Sequence, residues 1–169
     1  MCLIRILGAG LISLALWLVG LQVLRRQKLR LRQLSQCVDL IQSVTVEIRY
    51  GSLPVLDIVR RLAENEAFQS LDFLQFVAGE AASDFSAAWQ NAITGSDQLA
   101  LKPEEKAVLI RFGKSLGTTD ADTQLLLCER FRAQLGAMRE RAEARQAEST
   151  RTLFVGTAAA SLFVLALML

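Results

Sequence analysis

Histidine is absent from the chain, and this absence narrows the chemistry that the protein can perform. A Ser-His-Asp triad, a Cys-His pair and a zinc site with imidazole ligands all need a histidine side chain. Cysteine is scarce, since Cys2, Cys37 and Cys128 are the only three and lie far apart. Cys37 and Cys128 stand among apolar residues of predicted helices, where a buried and unreactive thiol is expected. The sequence therefore predicts no enzyme, no cofactor and no metal site.

A phosphate-binding loop is also absent. Gly113-Lys114-Ser115 has the order of residues that ends such a loop, but it lies inside a predicted helix and lacks the upstream glycine. Asp120 and Asp122 form an acidic pair that is open to two interpretations, a metal or partner contact and a helix cap. We favour the cap, with Gly117, Thr119 and Asp120 forming the turn before the last helix.

Long apolar runs stand at both ends of the chain. Residues 3–24 contain one charge, Arg5, and as a helix they are long enough to cross a bilayer core of about 30 Å. Residues 153–169 contain no charge and are at the short limit for a span. A cleaved signal peptide is the alternative for the first run, and a buried core helix for the second. We predict transmembrane helices at 1–24 and 153–169 around a soluble domain of residues 25–152.

Basic residues flank both apolar runs on the side of the soluble domain. This bias predicts a cell-membrane protein whose soluble domain faces the cytoplasm and whose two termini lie on the far side of the membrane. It also predicts that the basic residues contact anionic lipid. Nucleic-acid binding is the competing interpretation, but no aromatic residues are interleaved with the charges. We therefore predict membrane lipid, and no nucleic acid, as a partner. The membrane-flanking residues after the first span are Arg25, Arg26, Lys28, Arg30 and Arg32.

The hydrophobic periodicity between the spans predicts an all-α fold, a compact bundle of about six helices. Two long helices, about 3–50 and 120–169, each belong half to the membrane and half to the domain. Gly51 ends the first of them, and Asp84 caps a later helix. A two-stranded coiled coil of the long helices is the alternative, but amphipathic short helices favour the bundle. These short helices are expected at about 53–66, 70–82, 85–94 and from Pro103 to Gly117.

Charge is distributed unevenly along the domain. Six acidic residues and no lysine or arginine occur between Leu62 and Leu101. We expect a basic end by the bilayer and an acidic far end, which would dock a basic cytoplasmic partner. A solvated surface and a simple helix-ending turn are the alternatives. The candidate partner contacts are Tyr50, Gly51, Pro54, Glu64, Glu66 and Asp72.

Three segments together resemble a known family: RLRQLSQCVDLIQSVTVEIRYGSLPVLDIV (30–59), AAWQNAI (87–93) and LKPEEKAVLIRFGKSLGTTDADTQ (101–124). Their order, between a first and a last apolar helix, is similar to that of the stage III sporulation protein AB family, and the resemblance covers nearly the whole chain. Its most specific parts are residues 47–51 with Pro54, and residues 116–120 with Gln124. Val55 stands where the family usually has leucine, and Thr119 where serine is common.

The resemblance implies a function that the residues alone do not give. The family's soluble domain is similar to the helical domain of type II secretion F proteins, which are membrane platforms that pair with a cytoplasmic ATPase. By this likeness the chain is expected to be a platform component of the channel apparatus between mother cell and forespore. Its expected partners are a sporulation ATPase like stage III sporulation protein AA, other channel components and further copies of itself. The alternatives are a generic secretion or pilus platform, a membrane-bound sensor or enzyme, and a helical scaffold without an ATPase.

Overall fold

The structure is a computed structural model of the 169-residue chain. It describes the backbone of residues 2–51, 53–79 and 84–168, and the side chains of residues 18, 20–51, 53–79 and 84–147. Within these residues all regular structure is helical, which confirms the predicted all-α class. The helices are α1 Cys2–Tyr50, α2 Val55–Ala63, α3 Phe73–Gly79, α4 Phe85–Gly95, α5 Pro103–Ser115 and α6 Ala121–Met168, with a 3-10 turn at Glu66–Phe68.

The two long helices, α1 and α6, pack against each other and run in opposite directions. The Cys128 thiol near the start of α6 lies beside the Thr45 hydroxyl near the end of α1. The apolar residues of α1 recur at helical spacing and pack into the core, where Leu34 and Ile41 are fully buried. The α2–α3 and α4–α5 pairs complete the bundle, with α5 against α6.

The predicted transmembrane helices, residues 1–24 and 153–169, fall largely or wholly outside the side chains that the structure describes. Within the described part of the chain, no helix holds a stretch both long enough and apolar enough to cross a bilayer.

The second helix is shorter than the expected 53–66. It ends at Ala63 because Asn65 accepts the Ala67 N–H at 2.9 Å and so starts the 3-10 turn instead of another helical turn. Leu53, the first residue of the predicted range, precedes the helix and is 44% exposed. The residues that α2 buries are Ile58, Val59, Leu62 and Ala63.

Gly117 and Asp120, two of the three residues predicted for it, shape the turn between α5 and α6. Gly117 has a φ of +73°, a left-handed conformation that favours glycine. Its N–H donates to the buried Gln124 Oε1 at 3.1 Å. Asp120 caps α6 by accepting the Thr123 N–H at 3.0 Å, and this bond lowers the pKa of the Asp120 carboxyl. Thr119 is exposed.

Trp89 forms the centre of the core. Its indole is fully buried and packs edge-on against Phe73 and Phe112, with ring centroids 5.2 and 6.2 Å away. The indole N–H donates to the Leu109 carbonyl at 2.9 Å. A Cβ atom at Gly113 would lie 2.1 Å from the Trp89 ring, so only a glycine lets α5 approach the ring this closely. Gly113, which belongs to the segment resembling the end of a phosphate loop, therefore has a packing role.

Candidate partner surface

Three polar side chains on one helix, which we call the polar stripe, tie α1 to the rest of the domain. They are Arg30, Gln33 and Gln36. The Arg30 guanidinium makes a two-pronged ion pair with the Glu105 carboxylate at the start of α5, and one prong, from Nε to Oε2, measures 3.1 Å. The Glu105 side chain is 3% exposed, and it also accepts the Lys102 N–H at 2.7 Å. This hydrogen bonding raises the pKa of Arg30 and so favours the charged guanidinium.

The two glutamines of the polar stripe bond to loop backbone. Gln33 donates to the carbonyls of Ser70 and Gln98, at 2.9 and 3.1 Å, and accepts the Ala100 N–H at 2.7 Å. Gln36 donates to the Ala67 carbonyl at 2.6 Å. Buried amides of this kind satisfy loop backbone groups that would otherwise be desolvated without a partner. The stripe thus fixes the 3-10 turn and the α4–α5 loop on α1.

Arg30 therefore differs from the other residues expected to flank a membrane. Its charge is already paired with Glu105, and sequence periodicity gave no signal for a contact between residues 75 positions apart. The guanidinium and ammonium groups that face solvent are those of Arg25, Arg26, Lys28 and Arg32.

The described acidic residues differ from the expected acidic far end, since Glu66 lies beside the middle of α1 and Asp97 shares a cleft with Arg26 near the predicted span. The far end, where α1 stops, is formed by Tyr50 and the turn around Gly117. The acidic segment instead folds back along α1, because Ala67 bonds to Gln36. Gln36 lies roughly 20 Å of helix before Tyr50. Glu64 and Glu66 are exposed on the flank of the bundle.

Asp72 has a structural contact of its own. Both of its carboxylate oxygens accept the Ser96 hydroxyl, at 2.7 and 2.8 Å, and the same hydroxyl accepts the Leu99 N–H at 3.1 Å. Asp72 thus fastens the start of α3 to the α4–α5 loop. Among the three candidate acids, Glu64 and Glu66 are the ones whose charge faces solvent.

A groove of about 300 Å³ runs between α1 and α2. We call it the α1–α2 groove; Val46 and Glu47 line one side, and Arg61 and Asn65 the other. The Glu47 and Arg61 side chains are 3.4 Å apart in an ion pair. Val46 is 45% exposed, and Tyr50, one turn further along α1, is 81% exposed. The groove is therefore mostly polar, with Val46 as its exposed apolar residue beside the Glu47–Arg61 ion pair, and Tyr50 lies next to it.

Gly51 and Pro54 shape the chain next to this groove. A Cβ atom at Gly51 would lie 2.6 Å from the Glu47 carbonyl, so glycine is required by the close approach of the chain to the last turn of α1. Its φ is not positive, in contrast to that of Gly117. Pro54 precedes α2, and its carbonyl accepts the N–H groups of Asp57 and Ile58 at 3.0 and 3.1 Å.

The two described cysteines are buried in the interior. Burial raises the pKa of the Cys37 thiol strongly, and the Glu105 charge adds to the shift. Burial also raises the pKa of Cys128, although hydrogen bonds from Thr45 and Gln124 oppose the shift. A protonated, enclosed thiol is a poor nucleophile. Within the described residues no three Cys, Asp or Glu side chains form a group that could hold a metal ion.

Two long antiparallel helices, with loops tied to one of them, define this protein as an all-α bundle. The chain belongs to the stage III sporulation protein AB family, whose family model matches residues 5–169. It is 27% identical to stage III sporulation protein AB of Bacillus subtilis (strain 168) over 98% of this chain and 100% of that one. A solved structure of a stage III sporulation protein AB superposes with a TM-score of 0.59 at 28% identity, covering 71% of this chain and 98% of the solved chain. The chain is thus a component of the sporulation apparatus, and the resemblance noted in the sequence is confirmed.

Proposed function

We propose that the chain is a non-enzymatic membrane platform of the apparatus between mother cell and forespore, and that it docks a cytoplasmic sporulation ATPase through the α1–α2 groove and Tyr50. The observation that carries this proposal is the exposure of Tyr50. Tyrosine is enriched at the energetic centres of protein interfaces, because one side chain offers a large apolar face and a hydroxyl. An aromatic side chain that is 81% exposed beside a groove is therefore the best anchor for a partner.

Charge supports the same face. Glu64 follows α2 directly, and Glu66 begins the 3-10 turn close to Asn65 of the groove. Both carboxylates face solvent and would attract a basic surface, raising the rate of encounter rather than the final affinity. The proposed docking face thus has an apolar anchor, Tyr50, at one end of the groove and acidic residues toward the other end.

The long helices give the platform its mechanism. α1 runs without interruption from Cys2 to Tyr50, so a load applied beside Tyr50 enters the same helix that contains the predicted span. The polar stripe keeps the domain attached to that helix. In this proposal the domain receives position or force from the ATPase and passes it along α1 and α6.

The experiment is co-purification of the full chain, solubilised in mild detergent, with the ATPase. Tyr50→Ala is compared with Leu126→Ala, which removes another large apolar side chain, 72% exposed, from the second turn of α6. We expect Tyr50→Ala to reduce recovery of the ATPase at least tenfold, while Leu126→Ala leaves it unchanged. Glu64→Lys with Glu66→Lys should slow association, in a way that added salt also produces.

Equal recovery with both alanine variants would move the interface away from Tyr50. Failure of the wild-type chain to retain the ATPase in any nucleotide state would refute ATPase docking and leave a membrane scaffold as the function. Asp72 is left unchanged in this design, because its substitution would loosen the α4–α5 loop.

A further inference from the structure

A second cleft, also of about 300 Å³, lies at the opposite end of the domain, where α1 leaves the bundle toward its N-terminus. We call it the basal cleft. Arg26 and Leu29 form the α1 wall, and Gln33 of the polar stripe forms the floor. The facing wall is the α4–α5 loop, with Asp97, Gln98 and Ala100.

The polar side chain at the floor of the basal cleft, Gln33, is already hydrogen-bonded within the protein. The Gln33 amide already makes two hydrogen bonds as a donor and one as an acceptor. The charged groups at the rim are different. Arg26 and Asp97 are exposed and line the same cleft, yet within the described side chains neither makes an ion pair, with the other or with any third residue.

Two opposite charges that share a cleft without neutralising each other fit a ligand that carries both charges. A phosphate is the preferred partner of a guanidinium, which offers it two parallel N–H bonds. A primary ammonium, with three N–H donors, is the matching partner of a carboxylate. A purely anionic ligand would instead meet repulsion from Asp97, since like charges at close range disfavour binding.

The position of the cleft identifies the source of such a ligand. Arg26 lies about 3 Å of helix rise beyond residue 24, where the predicted span ends. Leu29, 38% exposed, lies one helical turn further from the span than Arg26 and provides an apolar wall for the two methylene groups of an ethanolamine. A quaternary ammonium is usually held by aromatic rings, and none of the residues lining the cleft is aromatic. A primary amine is therefore favoured over choline.

We propose that the basal cleft binds the zwitterionic headgroup of phosphatidylethanolamine, with Arg26 on the phosphate and Asp97 on the ammonium. This inference rests on the membrane anchoring in the proposed function. Arg25, Lys28 and Arg32 attract anionic lipid without selection, whereas the basal cleft adds a preference for one headgroup. The lipid would hold the α4–α5 loop, and with it the domain, against the membrane surface.

The test uses the full chain in detergent with an equimolar mixture of phosphatidylethanolamine, phosphatidylglycerol and phosphatidylcholine, and native mass spectrometry counts the lipids retained. The wild-type chain should retain phosphatidylethanolamine at least fivefold over phosphatidylcholine. Asp97→Asn should bring this ratio close to one, and Arg26→Gln should lower retention of phosphatidylethanolamine about tenfold. Asp122→Asn and Arg32→Gln make the same charge changes elsewhere on the domain and should leave the ratio unchanged.

A wild-type chain without headgroup preference, or an Asp97→Asn variant that keeps it, would overturn the proposal. Soluble glycerophosphoethanolamine, which has no acyl chains, separates a lipid from a free metabolite: if it competes at equal concentration, the membrane lipid is not the occupant. Membrane fractionation and ATPase recovery are measured on the same samples. If both persist while the preference is missing, only the headgroup inference fails; if the wild-type chain leaves the membrane fraction, the proposed platform fails as well.

Discussion

Replacement of Gly113 by alanine should destabilise the protein, although alanine is the better helix former. The new Cβ atom would lie 2.1, 2.3 and 2.4 Å from the Cδ1, Nε1 and Cγ atoms of Trp89. Since carbon atoms pack at about 3.5–4.0 Å, the indole would have to move by about 1.5 Å. Phe73 and Phe112 hold it in place, and any such movement breaks the bond from its N–H to the Leu109 carbonyl.

The expected change in the free energy of unfolding is the sum of two destabilising effects and one stabilising effect. Overpacking a tight core costs about 1–3 kcal/mol, and leaving a buried N–H without a partner costs about 1–3 kcal/mol more. Alanine recovers about 1 kcal/mol through its helix propensity. We therefore expect the free energy of unfolding to fall by about 3 kcal/mol.

The assay is urea unfolding of the full chain in detergent, followed by Trp89 fluorescence in a Trp17→Phe background. Gly136→Ala in α6 is the matched control, since nothing lies within 4 Å of the Cβ position there. It should stabilise the chain by up to about 1 kcal/mol. If Gly113→Ala and Gly136→Ala have the same free energy of unfolding, and Trp89 emission is unchanged, α4 does not pack as closely on α5 as in this structure.

Four further predictions concern Arg30, Gly117 and Cys37. Arg30→Ala should lower the free energy of unfolding by about 3 kcal/mol, because it leaves the Glu105 carboxylate buried without its cation. The control Arg32→Ala removes an exposed arginine and should change this free energy by less than about 0.5 kcal/mol. Equal effects of the two variants in denaturant titrations would contradict the ion pair. Gly117→Ala should cost about 1–2 kcal/mol for a left-handed φ, and a melting temperature equal to that of the wild type would count against this turn. Cys37 should resist maleimide at pH 8 until the chain unfolds, as read by peptide mapping. Because the native state keeps the Cys37 proton while the unfolded chain releases it, the free energy of unfolding should decline as the pH rises above about 8.5, and Cys37→Ala should reduce this decline.

Helix periodicity and capping residues determined most of the fold in advance. The stripe along α1, the cap at Asp84 and the turn at Gly117 depend on residues a few positions apart, and such local patterns can be read from a sequence. The Asp84 cap, for example, accepts the Ala87 N–H at 3.1 Å. The bounds of α2 were less predictable, because the Asn65 side chain competes with helix continuation.

The long-range contacts could not be predicted in the same way. Arg30 stands in a basic run, and nothing in that run indicates that one of its charges is paired with Glu105. Sequence order alone predicts an acidic far end. In the structure, Gln33 and Gln36 of α1 bind the carbonyls of Ser70 and Ala67, so this part of the acidic region lies beside the middle of α1. Asp72 was a candidate partner contact, but it binds the Ser96 hydroxyl in the α4–α5 loop. This contact could not be predicted either, because the two residues are 24 positions apart.

The spacing of the polar stripe has a consequence for motion. Arg30, Gln33 and Gln36 are three residues apart, and three residues turn an α-helix about 60° short of a full revolution. The three contacts therefore wind about 120° around α1 instead of following a straight line. A straight row would hold the helix against sliding but would let the domain roll about it. The wound row resists both movements, so torque applied to the domain turns α1 with it.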